Sequence, residues 1–360
     1  RNIELMWLTG RLAPDFKTIA DFRKDNPEAI RLVCREFVML CKKLNLLSEK
    51  LVAIDGSKFK AVNSRDKNFT RAKMKRRLKD VESAIERYMA QLDETDRTEP
   101  PPDDAKTLQD KVARLREEMA RLKKLEVRML EAPDQQLSLT DPDARSMNSR
   151  GTGVVGYNVQ SAVDAKHHLI IAHEVSKVGS DRQQLSKMAK QAKDILNPKT
   201  KLAVVADKGY YNGEEIQECE QNDIVAYVAK PKTSPNKAKG YFDRSRFQYL
   251  REDDEYQCPA EERLTYRMTS TEKGKQIRRY WSSACGNCAI RSQCTTGKQR
   301  RVSRWVHEDV LERAEKRLRR RPEVMLARRS LVEHPFGTLK SWTSANHFLT
   351  KRLSGVSTET

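Results

Sequence analysis

The chain has 360 residues, room for one large domain with insertions or for two to three smaller ones. Its 70 Lys and Arg against 51 Asp and Glu leave a net charge of +19, which points to a polyanionic partner. No apolar stretch approaches the roughly 18 residues of a membrane span. Seven cysteines in a chain this long do not read as a disulfide framework, so a soluble protein of a reducing compartment is expected.

Residues 1–48 read as helices. Asp15, Asp21 and Pro27 punctuate apolar periodic segments, among them Ile30, Val33, Phe37, Leu40 and Leu44. The chain starts within such a segment, so an upstream part is expected to be missing. A helical module placed here suits either DNA reading or plain packing. Residues 51–56 read as a short buried strand. Two heptad patterns follow, Met74-Leu78-Val81-Ile85-Tyr88-Leu92 and Leu108-Val112-Leu115-Met119-Leu122, separated by Glu99-Pro100-Pro101-Pro102-Asp103. Three prolines cannot continue a helix, so an antiparallel helical hairpin is expected. It could clamp DNA, support a dimer or be a structural insertion.

Alternation then takes over. Val155, Tyr157, Val159, Ser161 and Val163 share a strand face, Asp164-Ala165-Lys166 turns, and His168 to Val175 returns. Helix is expected over 181–196, strand over 202–206, helix near 213–221, strand over 224–228 and one long helix from about 308. This order describes an α/β protein with a mixed sheet. The basic charge is local: residues 58–79 hold ten basic side chains and one acidic, and 300–353 hold fourteen and six. Residues 80–134 reverse the balance, with fifteen acidic and ten basic. Two basic blocks are the footprint expected of a protein that follows a nucleic-acid backbone.

Three acids stand out from this background. Asp55 closes the apolar run Leu51–Ile54, Asp207 closes Leu202–Ala206, and Glu333 lies in an arginine-rich helical stretch. A carboxylate at the end of a buried strand faces the crevice where open sheets bind ligands. Two of these with one from a helix can hold two Mg²⁺ ions about 3.5–4 Å apart for phosphodiester chemistry. Asp164 is read as a turn residue instead. Cys285-Gly286-Asn287-Cys288, with Cys294 after it and Cys258 before it, has the knuckle spacing of a structural Zn²⁺ site; free thiols in a β insertion are the alternative. Cys34, Cys41 and Cys219 read as core residues. No phosphate loop or dinucleotide fingerprint occurs, so neither ATP nor NAD is implied.

The segments Val52-Ala53-Ile54-Asp55-Gly56-Ser57-Lys58, Val155-Gly156-Tyr157-Asn158-Val159-Gln160, Val204-Val205-Ala206-Asp207-Lys208-Gly209-Tyr210-Tyr211 and Ser330-Leu331-Val332-Glu333-His334-Pro335-Phe336-Gly337-Thr338-Leu339-Lys340 resemble, in this order, the D-D-E transposases of bacterial insertion sequences. The likeness runs from about residue 3 to residue 353. It implies an RNase H-like core, with Asp55, Asp207 and Glu333 catalytic and holding two Mg²⁺ ions (Mn²⁺ as a substitute). It also implies that Lys340 and Arg329 contact DNA, and Lys58 and Lys208 beside the aspartates are assigned with them. The tyrosine expected three residues before Arg329 is Leu326 here. Pro335 and Gly337 predict a kink between Glu333 and Lys340.

The organisation expected is a helical module over 1–48, core segments over 49–65 and 146–230, a helical-hairpin insertion over 66–145, a small zinc-ribbon-like β insertion over 231–300, and a catalytic helix region over 301–360. The implied partners are double-stranded DNA, both terminal inverted repeats and target, and a second copy in a synaptic dimer, with no membrane. The implied place is the bacterial cytoplasm, at the nucleoid. A catalytically inactive or truncated DNA-binding remnant is the alternative, since relatives usually continue past Glu359-Thr360. A related nuclease without strand transfer is a third reading.

Overall fold

The structure, a computed structural model, describes residues 3–98, 102–149, 151–231, 236, 238–342 and 345–360. In chain order the elements are α1 (Ile3–Leu8), α2 (Phe16–Asp25), α3 (Pro27–Lys43), β1 (Leu51–Lys60), β2 (Asn68–Thr70), α4 (Arg71–Thr98), α5 (Pro102–Glu131), β3 (Gln136–Ser138), β4 (Arg145–Ser149), β5 (Thr152–Asp164) and β6 (Ile170–Ser176). They continue with α6 (Leu185–Leu196), β7 (Leu202–Ala206), α7 (Gly213–Gln221), β8 (Ile224–Val228), β9 (Gln248–Leu250), β10 (Glu255–Gln257), β11 (Arg263–Glu272), β12 (Lys275–Trp281), β13 (Val302–Trp305), α8 (Glu308–Arg320), α9 (Glu323–Gly337) and α10 (Arg352–Glu359). Two compact units result. The first takes residues 1–48, 55–181 and 332–360, the second 49–54 and 182–331.

In the first unit β5 pairs antiparallel with β4 along one half and with β6 along the other, and its opposite edge faces β1. Ala61 N donates to Val155 O at 3.0 Å at that edge. β5 is buried almost throughout, which is why its apolar alternation was readable. Phe59, Tyr157, Val159, Val175, Phe336, Phe348 and Val356 form the core here. Each Phe-sized side chain taken out of water contributes about 1.5–3 kcal/mol. Buried Asp141 ties the C-terminal helix to this core: it accepts from the Tyr157 hydroxyl at 2.8 Å and from Arg352 N at the start of α10 at 3.1 Å. Burial and that carboxylate together push the Tyr157 hydroxyl well above its usual pKa.

The helical hairpin is present as α4 and α5, with Met74, Val81, Leu122, Leu125 and Met129 buried between its arms and Leu78, Ile85, Leu115 and Met119 packed against them. Residues 99–101 of the expected proline turn lie outside the described residues. β2 and β3 pair antiparallel at the base of the hairpin, an element the sequence reading missed. The N-terminal helices form as expected, but the described residues leave the apolar stripe of α3 uncovered: Val33, Phe37, Leu40 and the C-cap residue Leu44 are exposed, and Cys41 is buried. Cys34, read as a core residue, is exposed as well.

In the second unit the first residues of β1 pair parallel with β7, and β7 pairs parallel with β8. α6 buries Leu185, Met188, Ala189, Ala192 and Leu196, the three- and four-residue spacing of one helix face. Together the sheet segments and helices make a mixed α/β protein. The long helix expected from residue 308 is two helices, because Pro322 lacks the N–H that would continue α8 beyond Arg321. The insertion is larger than a ribbon: β9 to β13 form a five-stranded antiparallel sheet around Phe247, Tyr256, Leu264, Tyr280 and Val302.

Candidate active site

The parallel register of β1 and β7 pairs Ile54 with Ala206. Asp55 follows Ile54 within β1, and Asp207 follows Ala206, the last residue of β7. Both side chains are half-buried. Asp207 caps the short 3₁₀ turn Lys208–Tyr210, its Oδ1 accepting from Gly209 N at 2.6 Å. Lys208 is exposed.

Glu333 is exposed on the last turns of α9. The expected break in the helix is there: Pro335 sits inside α9, and from Thr338 to Trp342 the chain winds as a π-helix. That wider turn carries Lys340 back onto β1. Lys340 Nζ donates to Ser57 Oγ at 2.6 Å and to Lys58 O at 2.9 Å, and lies 4.4 Å from the centre of the Phe59 ring. Phe336 stands 6.2 Å from the same ring. The stretch that bears Glu333 is therefore fastened to the strand that bears Asp55 within one unit. Next to Glu333, the His334 ring meets His168 edge-on at 5.8 Å, lining a groove with Phe37, Cys41, Leu47 and Leu339.

The remaining assigned cations differ in setting. Lys58 lies 3.7 Å from Asp181 Oδ2, and Arg329 is exposed one turn before Glu333. Leu326, where the resemblance expects a tyrosine, is 72% exposed and makes no substitute for a ring hydroxyl. Asp164 is the turn residue it was read as. Fully buried, it accepts from Lys166 N at 2.8 Å and from Ser48 N at 2.9 Å, closing the β5–β6 connection.

Missed by sequence reasoning was Asp181, which lies against β1 immediately after the first aspartate. Its Oδ1 accepts from Asn158 Nδ2 at 2.7 Å and Gln160 Nε2 at 2.8 Å. The available signal was two amides in an otherwise apolar strand, since polar side chains at such positions need a dedicated partner.

In the second unit Cys258, Cys285, Cys288 and Cys294 line one small cavity with Phe247 and Leu264. Burial raises the Cys294 thiol above its ordinary pKa; nearby Arg300 opposes this, and the other three sulfurs add to it. Among the described residues, no three His, Cys, Asp or Glu side chains are gathered closely enough to hold a metal ion as they stand. The donor chemistry nonetheless suits two different ions: hard carboxylate oxygens for Mg²⁺, thiolates for Zn²⁺.

Asp55 thus lies within β1, Asp207 directly after β7 and Glu333 on α9 of a mixed α/β fold. The sequence pattern of the family described as "Transposase DDE domain" matches residues 126–360, and the chain belongs to that family. Transposases of this family act on DNA and generally use a divalent metal. No curated protein and no solved structure matches the chain. No helix among the described residues is long and apolar enough to cross a membrane.

Proposed function

We propose that the protein is the DNA transposase of an insertion sequence, cutting and joining DNA at element ends through Asp55, Asp207 and Glu333 on an RNase H-like core. The observation that carries this reading is the Ile54–Ala206 pairing, after which both strands continue directly into an aspartate. The three carboxylates would hold Mg²⁺, or Mn²⁺ in its place. The bound metal supplies electrostatic stabilisation of the charge that builds on the phosphoryl oxygens.

The chain's own residues bind and orient. Arg329, Lys340, Lys58 and Lys208 would meet the phosphates of a DNA backbone, and such contacts fix register without reading sequence. Water first opens the phosphodiester at the element end, and the freed 3′-hydroxyl then attacks a target phosphodiester. Each step forms one P–O bond as another breaks, so no covalent link to the protein is needed. Two element ends must be held together, and a homodimer would supply the pair of sites. Cys258, Cys285, Cys288 and Cys294 would hold a structural Zn²⁺ that staples the insertion sheet.

A binding-only reading, in which the protein retains affinity for DNA without turnover, draws on the absence of a gathered three-donor cluster among the described residues. Incubating the purified chain with its terminal-repeat DNA and Mg²⁺ separates the two. Strand cleavage that Asp207→Asn abolishes supports the transposase; binding with no Mg²⁺-dependent cleavage selects the alternative. Full cleavage by Asp207→Asn would refute the assignment of that residue.

A further inference from the structure

Two features near the first aspartate have no part in the function described so far: the buried amides of the Gly156–Gln160 motif, and the glycine that follows Asp55. Asn158 and Gln160 are fully buried on β5. A valine at either position would fill such a strand without the cost of desolvating an amide. Both amides instead donate to a single oxygen, Asp181 Oδ1, at 2.7 and 2.8 Å. Asn158 Nδ2 also reaches Val178 O at 3.2 Å, while its Oδ1 is buried without a partner among the described residues. The strand thus tolerates an orphaned acceptor to keep that donor on the carboxylate. Lys58 Nζ, 3.7 Å from Asp181 Oδ2, approaches the other oxygen.

This group presses on one backbone position. A Cβ on Gly56 would overlap Gln160 Nε2, and would come within 2.8 Å of Asp181 Oδ1 and 3.1 Å of Asn158 Oδ1. Only glycine admits the contact. From the other direction, Lys340 grips the next two residues through Ser57 Oγ and Lys58 O. Residues 56–58 are therefore held from two sides directly after Asp55: Gly56 packs against the Asp181, Asn158 and Gln160 group, and Ser57 and Lys58 accept hydrogen bonds from Lys340.

We propose that Asp181 is a positioning residue for Asp55, acting through the Asn158 and Gln160 amides and the Gly56 backbone. The inference rests on the reading that Asp55 helps to hold a divalent cation. A rigid carboxylate loses less freedom on binding an ion than a mobile one, and the groups that lock it control affinity without touching the metal. Asp181 itself has its Oδ1 committed to the two buried amides.

The test is Mn²⁺ binding to the full chain, followed by electron paramagnetic resonance, with thermal unfolding recorded for each variant. Asp181→Ala should weaken Mn²⁺ binding about 10-fold or more, the usual cost of removing an outer partner of a metal ligand. Asp181→Asn should stay close to the unsubstituted chain, because its amide oxygen still accepts from both donors. Gln160→Leu breaks the same contact from the other side and should weaken binding even if Asp181→Ala does not fold. Folded Asp181→Ala or Gln160→Leu binding Mn²⁺ like the unsubstituted chain, while Asp55→Asn does not bind, would overturn the inference alone. Asp55→Asn binding as well as the unsubstituted chain would instead remove the metal reading, and the inference with it.

Discussion

The Nζ of Lys340 donates to the Oγ of Ser57 at 2.6 Å, joining residues 283 positions apart and bringing the turn that follows α9 onto the strand that carries Asp55. The second bond, to Lys58 O, and the Phe59 ring at 4.4 Å complete a seat for the ammonium group. An ammonium group held this way on the strand of Asp55 is a fixed positive charge that a DNA phosphate could meet. Lys340→Met keeps the apolar stem but loses the charge and its hydrogen bonds. It should lower stability by about 1 kcal/mol and reduce Mg²⁺-dependent DNA cleavage. Thermal unfolding and a cleavage assay at low salt would read both losses.

Gly156 sets how closely β5 approaches β1. A Cβ there would overlap the carbonyl oxygen of Phe59, a backbone atom that cannot swing away as a side-chain tip can. Gly156→Ala should force the strands apart and destabilise the first unit by about 3 kcal/mol, the upper range for overpacking. Chemical denaturation would show this as a lower midpoint.

α7 and α8 are joined by charge. Glu220 accepts from Arg313 at 2.8 Å and Arg317 at 2.7 Å. Burial alone would raise the Glu220 carboxyl, but these hydrogen bonds and positive charges outweigh it and hold the group below its ordinary value of 4.5. A carboxyl depressed in the folded state adds stability that is present above pH 4.5 and lost as pH falls through the folded value. Glu220→Gln should therefore cost about 1 kcal/mol at pH 7, since the pair is partly solvated. The difference between the two proteins should close below about pH 4.5. Unfolding free energies measured from pH 3 to 7 would check the sign.

The cysteine cavity offers a separate test. Protein purified without chelator should carry about one equivalent of zinc per chain, as a closed four-thiolate site requires. Cys288→Ser should lose it and unfold at lower temperature, while Cys34→Ser, on an exposed helical position, should change neither. Elemental analysis with thermal unfolding would decide it.

Much of this was legible from residue patterns because burial was strong and periodic. The unbroken apolar runs before Asp55 and Asp207 announce central parallel strands, and the heptads of α4 and α5 announce a hairpin. β2 and β3 were not readable, since three-residue strands carry no period. The split between α8 and α9 was passed over because Pro322 lies among arginines that read as one continuous basic helix. Asp181 escaped for a different reason: its meaning lies in contacts to Asn158 and Gln160 more than twenty positions away, which no local pattern encodes. The exposed stripe of α3 shows the converse, a helical period that the described residues do not cover.

The central claim is that Asp55, Asp207 and Glu333 share one divalent-cation site. Replacing Mg²⁺ by Fe²⁺ and adding peroxide and ascorbate generates hydroxyl radicals at the bound metal, which cut the polypeptide nearby. The account predicts fragments ending close to residues 55, 207 and 333 together, all suppressed by excess Mg²⁺ and all lost in Asp207→Asn. Cuts near one of these acids without the others, or none that Mg²⁺ suppresses, would contradict it.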